Sequence, residues 1–348
     1  MKHNVEWEKW NSKENNFIKS QNIKSRLIYG KFHSTRPKVS VMLLTYKRAG
    51  GLKRALESAI HQDYEEAYEI VVVDDSGFDQ ESDQLMKLYC EKYDNIVYYR
   101  HDQNLGQYDN WNRACELCRS DWYCLLHDDD MMKPNYLSQL TKVAFMDTQV
   151  GLIGSYMETV DERLTSKKTS LVDRLVNIFI KMRNGKSIEL TLNDNMRHIF
   201  VLSCCLFINR KKALEIGGLN DEFFPSSDFF FAAKMNCYYK TLFLPIVLSS
   251  RGIGENESLK QQVCDDSIRC GFQLTKVISQ YKNDSNISQK RKASIAAVNA
   301  EIGVKGYNNV DYGQVKKELG MNSLYNNKFV ILLINIYSKL RWGLLLLR

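Results

Sequence analysis

Val39-Ser-Val-Met-Leu-Leu-Thr-Tyr-Lys-Arg48 is a near-continuous apolar run that stops abruptly in polar residues, after which Leu52, Ala55, Leu56, Ala59 and Ile60 share one helical face. A run without alternation reads as a strand covered on both faces, and the spacing after it reads as an amphipathic helix. The unit then repeats. Ile70 to Val73 ends in Asp74-Asp75-Ser76-Gly77 and leads to a helix carrying Leu85, Leu88 and Tyr89, with Ser82 as its expected cap. Ile96 to Tyr99 reads as a third strand and Gln107 to Arg119 as a helix. Trp122 to Leu126 reads as a fourth strand running into His127-Asp128-Asp129-Asp130, and Pro134 suits the first turn of the helix that follows.

Strands alternating with helices predict an α/β fold with a mainly parallel sheet flanked by helices, in which ligands bind beyond the carboxyl ends of the strands. Those ends carry the polar groups: Thr45, Tyr46 and Arg48 after strand one, Asp74 and Asp75 after strand two, the aspartate triplet after strand four. They are expected to converge on one crevice. Beyond Val150 the pattern loosens into a polar stretch around Asp161 to Ser170, a helix candidate over Leu171 to Met182 and a strand-like run from Val201 to Ile208. A helix over 209 to 218 closes at Gly217-Gly218, and Asp228 opens a further helix. Residues 260–348 read as mostly helical. Neither they nor the first 35 or so residues carry recognisable chemistry.

The 348 residues are 44% hydrophobic, with four prolines, no low-complexity tract and no fixed-period repeat, which is the composition of a globular protein with a sizeable core. A formal charge of +7 is not gathered into a basic stripe with interleaved aromatics, which argues against nucleic acid as a partner. Nine irregularly placed cysteines do not form a disulfide scaffold. Cys115 and Cys118 fall on the same helical stripe as Tyr108 and Trp111, so core packing is expected of them. The opening MKHNVEWEKWNSKENN has no apolar run of the signal-sequence type, so the cytoplasm is the expected compartment.

Three aspartates at the end of a buried strand repel one another unless a positive charge compensates them, and a divalent cation is the simplest compensation. Hard oxygen ligands suit Mg²⁺ or Mn²⁺, which could bridge two phosphates. A solvated acidic turn ahead of Pro134 is the plainer alternative. Asp74 and Asp75 could instead merely cap the next helix, an alternative that weighs more for Asp74 than for Asp75. Thr45-Tyr46 could be an ordinary strand end, although an aromatic ring beside a hydroxyl and a carboxylate also suits a nucleobase and ribose. His127 could be purely structural, and Asp228 could be an acid favoured by the helix dipole.

Four segments together carry a resemblance: residues 39–48, Ile70-Val-Val-Val-Asp-Asp-Ser76, Asn104-Leu-Gly106 with Asn110-Trp-Asn112, and Leu126-His-Asp-Asp-Asp130. In this order the chain resembles the family 2 glycosyltransferases of GT-A (Rossmann-like) fold, enzymes that invert the anomeric centre of a nucleotide-sugar donor. The resemblance implies that Thr45, Tyr46, Arg48, Asp74, Asp75, Asn104, Gly106 and Asn112 hold the donor nucleotide. It further implies that the metal-diphosphate motif falls on His127, Asp128 and Asp129 with Asp130 beside them, histidine standing where the family has its first aspartate. Gly217-Gly218 followed by Phe223, Phe224 and Asp228 matches the context of the catalytic base, with Ser227 in place of a first acid.

The resulting expectation is an N-terminal extension over 1–38 and a GT-A domain over 39–259. Within that domain, residues 39–150 bind the nucleotide sugar and 151–259 bind the acceptor, and a helical region follows over 260–348. A divalent metal (Mn²⁺ or Mg²⁺), a nucleotide-sugar donor and a glycan or lipid-linked acceptor, as in bacterial O-antigen or capsule synthesis, are the expected partners. The tail KFVILLINIYSKLRWGLLLLR, 328–348, is apolar but interrupted by Asn335, Lys339, Arg341 and Trp342; it could be a docking helix, but the pattern predicts peripheral attachment to the inner face of the cytoplasmic membrane. Two rivals remain at this stage. A sugar-phosphate nucleotidyltransferase would require a glycine-rich phosphate loop, for which Gly50-Gly51 is a weak candidate. A decayed carbohydrate-binding scaffold would explain His127 and Ser227.

Overall fold

A computed structural model of the chain describes residues 10–161, 178, 180, 181, 183, 185–195, 206–253, 260–305 and 310–347. Its strands, in chain order, are β1 (Ser25–Tyr29), β2 (Val39–Thr45), β3 (Tyr68–Asp74), β4 (Ile96–His101), β5 (Trp122–His127), β6 (Asp130–Met132), β7 (Val150–Asp161), β8 (Ile188–Leu190), β9 (Phe207–Asn209) and β10 (Lys240–Ile253). The principal helices among the described residues are α1 (Ala49–Ile60), α2 (Gln80–Lys92), α3 (Gln107–Leu117), α4 (Tyr136–Ala144), α5 (Arg210–Glu215), α6 (Ser227–Tyr238), α7 (Gln261–Tyr281), α8 (Asn286–Lys305), α9 (Gly313–Glu318) and α10 (Lys328–Leu347). The strands join one mixed, mostly parallel sheet in the order β1-β4-β3-β2-β5-β9-β7-β10-β6, with β8 also on β10.

All seven residues of β2 are buried, because β3 and β5 pair with its two edges in parallel and helices cover both faces. Successive side chains go to opposite faces. Met42 and Leu44 join Val71, Val73 and Leu125 in a core with α3, whereas Val41 and Leu43 join Val72, Cys124 and Leu126 in a core with α1 and α4. Cys115 and Cys118 lie in the first of these cores as free thiols, as their helical spacing predicted.

Several expected boundaries move. The cap of α2 is Asp79, whose Oδ2 accepts the Ser82 N–H at 2.9 Å, so Ser82 is the capped residue and its hydroxyl is buried. Helix α4 begins at Tyr136, after Pro134, with Asn135 at its N-cap. The third strand continues to His101, and α3 stops at Leu117. Of the strand expected over 201–208, residues 206–208 are described, and Phe207 and Ile208 open β9, which runs on to Asn209. Most of the helix expected over 171–182 and of the polar stretch before it lies outside the described residues.

Residues 10–38 are built into the fold. Strand β1 pairs antiparallel with the outer edge of β4, and both the backbone N–H and the side-chain Nδ2 of Asn16 donate to the Gly217 carbonyl at 3.0 Å. The C-terminal helices divide their packing. Helices α7, α8 and α9 share their own core, to which α10 contributes Ile334. Farther along α10, Trp342, Leu345 and Leu346 enter the core of the sheet. The Trp342 ring meets Tyr156 edge-on at 5.4 Å and Phe243 at 5.2 Å. The last helix is therefore one of the ties between the helical region and the sheet. Trp342→Ala is expected to lower unfolding free energy by about 3–5 kcal/mol, as loss of a buried aromatic does, and urea unfolding followed by circular dichroism measures it.

Candidate active site

The parallel register brings three strand ends to one level: Thr45 pairs with Asp74, and Leu44 with His127. The next residues leave the sheet together, which places Tyr46, Asp75 and Asp128 around one crevice.

Two of the acids there turn inward. Asp74 accepts the Ser76 N–H at 2.8 Å and the Tyr98 hydroxyl, so it fixes the loop after β3, and burial raises its pKa. Asp128 accepts the Thr45 hydroxyl at 2.9 Å and the Tyr46 N–H at 3.1 Å on a single oxygen, tying the β5 end to the loop after β2; burial pushes its pKa up to about 6. Asp75 closes the far side of the crevice. Its carboxylate accepts the N–H groups of Leu105 at 2.6 Å and Gly106 at 2.9 Å, and Asn104 Nδ2 donates to its carbonyl at 3.3 Å. Burial, working against those two N–H groups, pushes the Asp75 carboxyl up to about 6. The Asn104 to Gly106 segment is thereby clamped over the crevice.

The aspartate triplet is not one cluster. Asp128 points into the protein, Asp129 remains part-exposed, and Asp130 begins β6, buried and opposite Arg251 of β10. Arg48 supplies compensating charge to the first two, with Nη1 at 3.2 Å from Asp129 Oδ2 and 3.6 Å from Asp128 Oδ1. Gly252 N–H donates to the Asp129 carbonyl at 3.0 Å, and a Cβ at Gly252 would lie 2.3 Å from that oxygen, so only glycine lets β10 approach this loop. His127 Nε2 is buried without a hydrogen-bond partner among the described residues, and burial lowers the ring's pKa, which keeps the imidazole neutral.

Among the described residues no three histidine, cysteine or acidic side chains are grouped to hold a metal ion. One part-exposed carboxylate with hard oxygen donors still suits Mg²⁺ or Mn²⁺, since such ions are commonly held by one or two carboxylates plus the phosphates of a substrate. Asp129 fits that description, whereas Asp128 and Asp130 are committed to the protein. Tyr46 is exposed beside the crevice, as a stacking surface for a base requires.

Asp228 lies in the first turn of α6, and its Oδ1 accepts the Phe229 N–H at 2.9 Å. Loss of water around its carboxyl pushes the pKa up to about 7, against the pull of that N–H and of the Arg251 charge. Arg251 was not singled out from the sequence. It pairs with Asp130 where β10 meets β6, and its charge favours the ionised form of Asp228. Arg251 stands inside β10, after the polar pair Ser249-Ser250, so it lacks the strand-end signal that marks Thr45 and Asp74 as the last residues of β2 and β3.

Asn112 is placed elsewhere. Its Nδ2 donates to the Leu219 carbonyl and its Oδ1 accepts the Leu219 N–H, both at 2.9 Å, which uses the amide up in the core. Gly218 makes the approach possible: its φ is +71°, and a Cβ there would lie 2.6 Å from Asn112 Oδ1. Gly50 and Gly51 lie in the first turn of α1, not in a phosphate-cradling loop.

Residues 40–217, just over half of the chain, match the family model described as glycosyl transferase family 2. The chain belongs to that family. Curated relatives include an uncharacterized glycosyltransferase of Methanocaldococcus jannaschii, 27% identical over 36% of this chain and 44% of its own length. The putative glycosyltransferase EpsH of Bacillus subtilis is 25% identical over 59% of each. The putative colanic acid biosynthesis glycosyl transferase WcaA of Escherichia coli is 32% identical over 29% of this chain and 36% of its own length. The chain thus spans less than two thirds of the length of these relatives. Its fold is that of a mannosyltransferase from Pyrobaculum calidifontis solved with GDP-Man and Mn²⁺, with a TM-score of 0.53 and 15% identity over 89% of this chain and 86% of that one. S. aureus TarS solved with UDP-GlcNAc gives 0.51 and 16% over 88% and 90%.

Asn112→Ala leaves two buried backbone groups of Leu219 unpaired and is expected to cost about 2–4 kcal/mol of stability. Nucleotide affinity measured on the folded protein should change less than about twofold, a difference below 0.5 kcal/mol; a larger loss would return Asn112 to the donor site. For Asp228, the raised folded pKa means that its contribution to stability is complete below about pH 4 and is lost as pH rises through about 7. Asp228→Asn should therefore unfold at higher urea than wild type at pH 8, by on the order of 2–4 kcal/mol, with the gap narrowing toward pH 5.

Proposed function

We propose that the protein moves a sugar from a nucleotide-diphosphate sugar to a glycan or lipid-linked acceptor with inversion, in assembly of a bacterial surface polysaccharide. The observation that carries this is the crevice itself: Thr45, Tyr46, Asp75 and Asp129 meet at aligned ends of parallel strands, and burial holds the carboxyl of Asp228 near neutral pH. Family membership supports the reaction class. The ligands seen in the mannosyltransferase and TarS complexes support a nucleotide-sugar donor, and the name of the E. coli relative supports a polysaccharide product.

In this reading Tyr46 stacks on the base, while Asp75 and the clamped Asn104 to Gly106 segment close around the nucleoside. Arg48 and Arg251 face the negative charge that gathers on the diphosphate. Asp129 would hold Mg²⁺ or Mn²⁺, and the ion would add Lewis-acid stabilisation to the departing diphosphate. Asp228 takes the proton from an acceptor hydroxyl, whose oxygen bonds to the anomeric carbon on the face opposite the diphosphate. The bond from that carbon to the diphosphate oxygen breaks, and its electron pair leaves with the nucleotide. Only the deprotonated carboxylate serves as base, so turnover rises with pH through about 7.

The described residues include one helix, Lys328–Leu346, long and apolar enough to cross a membrane. Its buried end in the sheet core favours a helix lying along the inner face of the cytoplasmic membrane, where a lipid-linked acceptor would be carried.

Titration calorimetry with UDP, GDP and dTDP, each with and without Mn²⁺, tests the donor site. One nucleotide is expected to bind with metal present, and Asp129→Ala should weaken it by about tenfold or more. Asp228→Asn should keep that affinity and lose about 10²-fold or more in turnover, as expected for loss of a general base. If no nucleotide binds with Mn²⁺ present, the glycosyltransferase reading fails.

A further inference from the structure

Helices α7, α8 and α10 enclose a cavity of about 600 Å³, well away in sequence from the strand ends that build the crevice. The volume falls in the range of pockets that take a small organic ligand, roughly 300–1,000 Å³. Its apolar wall includes Ile295, Val330, Leu333 and Ile334. Three cationic side chains, Arg291, Lys292 and Arg341, share the lining, and no carboxylate does. Lys292 is held by Asp284 at 2.7 Å, and Arg341 donates to the Tyr337 hydroxyl at 2.9 Å. Arg291 is exposed and forms no ion pair among the described residues. A cavity with an apolar wall, polar side chains such as Asn299 and Ser338, and a cation outside any ion pair among the described residues is complementary to an amphiphile that has an anionic head.

A second feature points the same way. Phe329, Leu332, Leu333, Leu340 and Leu344 form an exposed stripe along α10, from 65% exposure at Phe329 to 66% at Leu344. Leu333 and Tyr337 belong both to the stripe and to the cavity lining, each 48% exposed. The cavity therefore opens on the face of α10 that would lie against acyl chains.

We infer that the cavity binds an acyl chain of an anionic phospholipid from the bilayer, with its phosphate held by Arg291 and Arg341. This rests on α10 being the membrane-facing helix, and it adds a selective lipid site to what would otherwise be a purely apolar contact.

Two measurements on the full chain separate the two ideas. Calorimetry with short-chain phosphatidylglycerol, kept monomeric, against phosphatidylcholine of the same chain length reads the cavity. Sedimentation with mixed phosphatidylglycerol and phosphatidylcholine vesicles reads the stripe. The anionic lipid is expected to bind wild type at least about tenfold more tightly than the zwitterionic one. Arg291→Glu, a surface change, and Ala296→Phe, which fills the chamber, should each abolish that preference while leaving most of the vesicle binding. Leu340→Ser with Leu344→Ser should do the reverse. Equal binding of the two lipids, or an unchanged preference in Arg291→Glu, overturns the cavity assignment even if vesicles still bind. Full sedimentation of the stripe variant overturns the membrane-facing helix instead. A polyprenyl phosphate that displaces phosphatidylglycerol from the cavity would assign the site to the acceptor's carrier and overturn the phospholipid.

Discussion

Strand β2 is paired on both edges and covered on both faces, and the placement of the site depends on that constraint. A strand with no solvent face carries polar groups where it enters or leaves the sheet, or where, as at Ser40, a buried neighbour takes the hydrogen bond. Parallel neighbours in register leave at the same level, so their first polar residues are delivered to one place. Thr45, Asp74 and His127 stand at that level for this reason, and the loops that follow them have no choice but to meet.

Within the crevice the acids divide their labour by burial. Asp74 and Asp128 are satisfied by hydroxyl and backbone donors of neighbouring loops, and they set the shape of the opening. Asp75 uses its carboxylate to clamp the segment ahead of α3, while Asp129 keeps a surface that a ligand can reach. Positive charge from Arg48 and Arg251 offsets this concentration of acids, and it comes from opposite sides: Arg48 ahead of α1, Arg251 from the end of β10. Asp228 is raised further than Asp75 and Asp128, because burial outweighs the Phe229 N–H and the Arg251 charge and holds its proton to near neutrality.

The second half of the chain does more than complete a pocket. Strand β10 carries Arg251 and Gly252 to the aspartate loop, and α10 runs from the helical core to the sheet core. The apolar residues of the tail, which in sequence look uniform, are thereby split. Trp342, Leu345 and Leu346 are core, and Phe329, Leu332, Leu340 and Leu344 are surface.

The parallel half of the sheet, its cores and the meeting of Thr45, Asp75 and Asp129 were legible in the sequence, because burial on both faces forces continuous apolar runs and confines polar residues to strand ends. The Gly217-Gly218 stop was legible too, since only left-handed backbone accommodates that turn. What each carboxylate does was not. Whether an aspartate faces a ligand or a neighbouring loop depends on partners far away in the chain, as with Asp128 and Tyr46, 82 positions apart. The same distance effect hid the structural use of Asn112, fixed by Leu219, and the place of β1 beside β4. Sequence patterns report how much of a residue is buried and at what period; which groups lie opposite it is decided by long-range pairing, and only the tertiary structure contains that.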